Sequence, residues 1–178
     1  MSSEKLHRSP RLILAAAFAL STWFALSPGS AAARARTGGK TSDQHFMAEA
    51  IQGDLSEVKM GQLAQEKGQG DNVKQFGKML EQDHSEHLQK AQQIADKDGL
   101  KAPAEPNAMQ QRTYQKLSSL SGRKFDTAFA RDMVSDHEKD ISKYKKEANS
   151  KSDLADFAKQ TLPVLQKHLQ AAQDLTRK

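Results

Sequence analysis

The sequence predicts an all-α protein, an antiparallel four-helix bundle with one additional short helix. Three observations carry that expectation. Apolar residues recur at three- and four-residue intervals through four long stretches, glycine or polar turns separate those stretches, and no alternating β-branched run of strand length occurs. The length of 178 residues fits one domain, and a mean hydropathy of -0.76 is that of a water-facing chain. The chain has no cysteine, which excludes a disulfide scaffold, a thiol nucleophile, a thiolate metal site and a lipid anchor on cysteine.

The helices follow in order. After a flexible linker over 36–41, the first begins near Ser42 or Asp43, both good caps, and runs to Lys67. Met47, Ile51, Leu55 and Val58 form its stripe, widened by Phe46, Ala50 and Leu63, and Gly68-Gln69-Gly70 ends it. The second runs from Asp71 or Asn72 to Asp98 on Val73, Phe76, Leu80, Leu88, Ala91 and Ile94. Gly99 stops it, and the two prolines between Leu100 and Asn107 mark a connection. A short helix spans Ala108 to Ser119. Next, Lys124 to Asn149 repeats through Phe125, Phe129, Met133, His137, Ile141, Tyr144 and Ala148. The last, Asp153 to Thr176, carries Leu154, Phe157, Thr161, Leu165, Leu169, Ala172 and Leu175, with Pro163 removing one backbone bond near Lys159 or Gln160. The bundle domain is therefore expected over 42–178.

Residues 1–35 read as a secretory signal peptide. Lys5, His7, Arg8 and Arg11 are a basic start, Leu12 to Leu26 is an uncharged, largely apolar run, and small residues follow at Ala31-Ala32-Ala33 or Ala33-Arg34-Ala35. The run of 15 residues falls short of the roughly 20 that span a bilayer, which weighs against an uncleaved anchor and against stable membrane insertion once the signal is removed. A periplasmic or secreted location follows as the expectation. The remaining chain holds 23 basic and 21 acidic residues, a formal +2, and its two signs are interleaved. Nucleic-acid binding needs a one-signed face and is not expected.

The histidines carry the chemistry. His84, His137 and His168 interrupt apolar stripes on three different helices, and Glu57 borders the stripe of the first helix. At 1.5 Å per residue, His84 lies about 21 Å into its helix, His137 about 20 Å and His168 about 22 Å, while Glu57 is about 15 Å from its helix end. In an up-down-up-down bundle these depths meet in one middle layer. One nitrogen or oxygen ligand per helix is how bundles build interior metal sites, and a transition metal such as iron or zinc is what that set would hold. His87 and Glu81 are candidate additions. The competing reading needs no cofactor: buried His and Glu pair with one another and fix helix register. Glu81-Gln82-Asp83-His84 has the Glu-x-x-His spacing of carboxylate-bridged di-iron bundles, but Val134 and Leu165 stand where further glutamates belong. Oxygen-activating di-iron chemistry is thus not expected. Neither is a phosphate loop, a nucleophile elbow or a His-Glu-x-x-His zinc motif present, so no catalytic residues are assigned.

The residues from Ser42 to Leu175 resemble a bacterial exported family, the domain of unknown function numbered 4142. The segments that carry the likeness are Asp43-Gln44-His45-Phe46, Gly53-Asp54-Leu55-Ser56-Glu57-Val58, Gly61-Gln62-Leu63-Ala64, Val73-Lys74-Gln75-Phe76, Asp83-His84, Leu120-Ser121-Gly122, Met133-Val134 with His137, and Leu162-Pro163 with His168-Leu169. The resemblance implies a ferritin-like bundle and export, with Glu57, His84, His137 and His168 among the shared positions, and implies no particular activity. Two function classes stay open. One is a non-enzymatic envelope or stress-related protein acting through a protein partner, marked by an exposed apolar patch. The other is a metal-binding bundle, marked by convergence of the four side chains on one point. Histidines each bonded to a carboxylate or carbonyl would mark them as architecture.

Overall fold

The structure, a computed structural model, describes residues 29–177, with side chains from Lys40 onward. The part of the expected signal peptide over 1–28 lies outside the described residues. Five helices follow one another: α1 Gly29–Lys67, α2 Asp71–Asp98, α3 Ala108–Ser118, α4 Gly122–Ala148 and α5 Ala155–Thr176. The fold is the all-α bundle of four long helices with an extra short one. The helix expected from Ser42 instead extends back to Gly29, so 36–41 are helical rather than a flexible linker. Alanine and arginine, both strong helix formers, fill the stretch Ala31 to Ala35 and outweigh the cost of Gly38 and Gly39. Among the described residues no helix is long and apolar enough to cross a membrane.

The chain is organised as two antiparallel hairpins, α1 with α2 and α4 with α5, whose helices pack along their lengths. Local chemistry sets the turns. Gly99 adopts φ 66°, the left-handed conformation that lets the chain leave α2 without a Cβ clash. Asn107 and Gln110 form a reciprocal capping box at the start of α3. The Asp126 carboxylate, on α4, accepts from the backbone N–H of Gln69 and of Gly70, each at 2.9 Å, and so clips the first hairpin's turn to the second hairpin. At the other end, the Gln44 amide holds the Lys101 backbone through both its ends, at 2.9 and 2.7 Å.

The α1–α2 contact is unusually close because two glycines face each other. A Cβ on Gly61 would sit 2.5 Å from the Gly77 carbonyl oxygen, and one on Gly77 would sit 2.7 Å from the Gly61 oxygen. This approach fixes the axial register of the first hairpin, and with it the height of Asp54 and Glu57 against α2.

Two apolar cores fill the interior. One gathers Met47, Ile51, Ala91, Ile141, Tyr144 and Leu154; the other gathers Met60, Leu63, Phe76, Leu80, Phe125 and Phe129. Between them lies a buried polar layer of Asp54, Glu57, His84, His137, Thr161 and His168. The layer is where the depth arithmetic placed it.

The glycine contact yields a direct test. Gly61→Ala inserts a methyl against backbone atoms that cannot rotate away, so it should destabilise the protein by about 2 kcal/mol in urea denaturation. Unchanged stability would show that the helices separate without cost and that the register is set elsewhere.

Candidate metal centre

Each histidine of the polar layer comes from a different helix, and each is held by one ring nitrogen. His84, on α2, points Nδ1 at Asp54 Oδ1 of α1, 2.9 Å away. His137, on α4, points Nδ1 at the Met133 carbonyl one turn back, also 2.9 Å. His168, on α5, points Nε2 at Asp83 Oδ2 of α2, 2.8 Å away. A carbonyl or a carboxylate only accepts, so in the neutral ring each of these nitrogens carries the proton and donates. The opposite nitrogens, His84 Nε2, His137 Nε2 and His168 Nδ1, are then bare lone pairs.

Those three lone pairs are the unusual feature. All are buried and none has a hydrogen-bond partner. One nitrogen of each ring lies within 4.8 Å of one nitrogen of each of the others, and the ring centroids are 5.2 to 5.9 Å apart. Buried acceptors without donors cost free energy, and three of them turned toward one another also repel. A cation between them removes both penalties, and an outward N–H bond to a carboxylate or carbonyl is the usual second support of a metal-ligating imidazole.

The electrostatics keep the rings in the form that binds metal. Burial pulls the His137 pKa down to about 3, with help from the neighbouring His84 and His168. Burial also lowers His168 to about 4, opposed by its bond to Asp83. Both are neutral near pH 7, as ligation requires.

The remaining residues singled out from sequence fall into different places. Glu57 is 1% exposed and neither carboxyl oxygen has a hydrogen-bond partner. Its Oε1 is 3.9 Å from His137 Nδ1, the nitrogen that faces Met133 rather than the cluster, so Glu57 adjoins the three-nitrogen group from the side. Burial raises its pKa well above the usual carboxylate range, and Asp136, Asp140 and Asp132 on the facing helix add to the shift. His87 lies one layer out: its Nδ1 is 2.7 Å from Asp54 Oδ2 and its Nε2 is 3.0 Å from the Thr161 hydroxyl. Glu81 turns away, accepting from Gln62 and Gln65, and both bonds hold its pKa down.

Asp54 is the functional residue that sequence reasoning passed over. Its two oxygens orient His84 and His87 at once, and it is 2% exposed. The signal was available: Asp54 lies three residues after Ile51 and four after Ala50, on the buried stripe of α1.

Fold and site together define a helical bundle with a buried histidine cluster capable of metal coordination. Residues 28–175 match the family described as Domain of unknown function (DUF4142), and the chain belongs to that family. No curated protein matches the chain, and no solved structure does.

The shifted histidines couple stability to pH in the metal-free protein. Their folded pKa values lie below the unfolded value of 6.5, so their contribution is complete above about pH 6.5 and is lost as the pH falls toward 4 and then 3. Glu57 has the opposite sign, since its raised pKa favours the folded state at low pH and withdraws that support as the pH rises through the carboxylate range. Urea denaturation should show a loss on the order of 3 kcal/mol between pH 7 and pH 4, and His137→Phe should flatten the profile. A flat native profile would mean the imidazoles protonate freely in place.

Proposed function

We propose that this protein binds a transition-metal ion in the bundle core, through His84 Nε2, His137 Nε2 and His168 Nδ1. The observation that carries the reading is the convergence of three buried, partnerless nitrogens whose other ring nitrogens are all engaged. An all-imidazole set without thiolate suits zinc, copper, iron or nickel ions. Glu57, from the one long helix that gives no imidazole to the set, would become a fourth donor only by turning its carboxylate from the outer nitrogen of His137 toward the three inner nitrogens. The ion would bring Lewis acidity or, if copper or iron, one-electron chemistry. The chain's own residues then hold three neutral rings in place, exclude bulk water, and keep the ring protons outward on Asp54, Met133 and Asp83.

Nothing in this set assigns catalysis, and metal binding or buffering in the periplasm or outside the cell is the role proposed. The location rests on the basic start and the apolar run of the amino terminus. The protein-partner reading has less support, because the exposed large apolar side chains among the described residues are Met109 on α3 and Val164 on α5, which do not form a patch.

Elemental analysis of untagged mature protein, purified without chelator, should find near-stoichiometric transition metal that is lost in His84→Ala and His137→Ala. Asp83→Asn, which touches no metal, should weaken affinity about 10- to 100-fold with the helical content unchanged by circular dichroism. A native protein that is empty and takes up none of iron, zinc, copper or manganese would return the histidines to architecture.

A further inference from the structure

The donor atoms are sealed, so an ion needs a way in. A cavity of about 270 Å³ lies beside the cluster and counts His84 and His168 among its lining residues. Three other cavities among the described residues touch none of the three imidazoles. Its walls are apolar where Tyr144, Phe157 and Leu165 face it, and its charged lining is unbalanced. Asp54, Asp83, Glu86 and Asp140 contribute carboxylates against the two ammonium groups of Lys90 and Lys167, and Lys143, outside the lining, pairs with Asp140 at 3.3 Å, which still leaves one carboxylate in excess. Lys167 Nζ is itself 3.7 Å from Asp83 Oδ2, which blunts one of the two. An excess of one sign set in low-dielectric walls concentrates the field and draws ions of the opposite sign inward.

We propose that this cavity, opening between α2 and α5, is the port through which the metal reaches and leaves the imidazoles, and that it admits the hydrated divalent cation rather than an anionic chelate of it. The inference rests on the metal-binding reading above and adds a route and a substrate form to it. Two independent features support it. The excess carboxylate favours a cation and disfavours a citrate-like complex, and the partnerless nitrogens of His84 and His168 belong to residues that line the cavity. Asp83 serves both ends of the path: it is half-exposed at the mouth, yet its Oδ2 orients His168, which is fully buried.

The test is the kinetics of cobalt(II) loading into metal-free mature protein by stopped-flow absorbance, alongside equilibrium titration of the same samples. Glu86 and Val164 are exposed at the mouth and touch no donor atom, so Glu86→Lys and Val164→Trp leave the centre intact. Glu86→Lys should slow loading about three- to tenfold at low ionic strength, with the difference vanishing in high salt and the equilibrium affinity unchanged. Val164→Trp should slow loading and release by the same factor. Cobalt offered as its citrate complex should load no faster than that complex dissociates. Native rates in both variants, or direct transfer from the citrate complex, would overturn the port while leaving the metal centre standing. Absence of cobalt binding at equilibrium would overturn the metal centre itself, and the port with it.

Discussion

Three outward hydrogen bonds decide what the middle of this bundle can be. Without them, His84, His137 and His168 could turn either nitrogen inward and settle their polar atoms against one another. Asp54, the Met133 carbonyl and Asp83 each take one N–H, and that choice forces the remaining lone pairs toward a common point. The rest of the molecule serves this arrangement. The glycine contact sets the height of α1 against α2, the Asp126 clip sets one hairpin against the other, and the two apolar cores close the layer above and below. Such a layer opposes folding on its own account, because buried acceptors and a buried carboxyl have given up water. The bundle carries that cost in its interior, where apolar side chains would pack without it.

Much of this was legible in the sequence because a helix is periodic. Polar residues inserted in an apolar stripe are visible by eye, and a rise of 1.5 Å per residue converts position into height. That is why His84, His137, His168 and Glu57 were found as one layer from four separated segments. What periodicity cannot give is rotation of a side chain about its own bonds. The sequence reading opposed two outcomes, convergence of the three histidines and Glu57 on one point or hydrogen bonding of each histidine to a carboxylate or carbonyl. The structure brings the three histidines together and bonds each of them as well, since an imidazole has two nitrogens and each does one job. Glu57 illustrates the same gap: its height is right, yet its oxygen meets the far nitrogen of His137. The early start of α1 was missed for a different reason, because small residues favour helix as readily as they favour a flexible leader, and composition does not separate the two.

Asp54 and Asp83 show how a carboxylate adjacent to a metal-type cluster can matter without joining it. Asp54 spends both its oxygens on imidazoles, and Asp83 gives Oδ2 to His168. Their charge still acts through the rings. A carboxylate accepting the outer N–H makes the inner nitrogen more basic, while the neutral Met133 carbonyl does less for His137. The three donors are therefore unequal in strength as well as in origin.

The split of the donor set between hairpins has a consequence for how the protein matures. His84 belongs to the first hairpin, and His137 and His168 belong to the second. Neither half can present three nitrogens, and the emerging or unfolded chain holds its histidines far apart in sequence. An ion that needs all three therefore recognises the completed fold and nothing before it, and binding to the native state alone draws the folding equilibrium forward. In such an arrangement occupancy becomes a certificate of correct assembly: a chain whose hairpins have docked out of register stays empty, and so remains distinguishable from its properly folded neighbours.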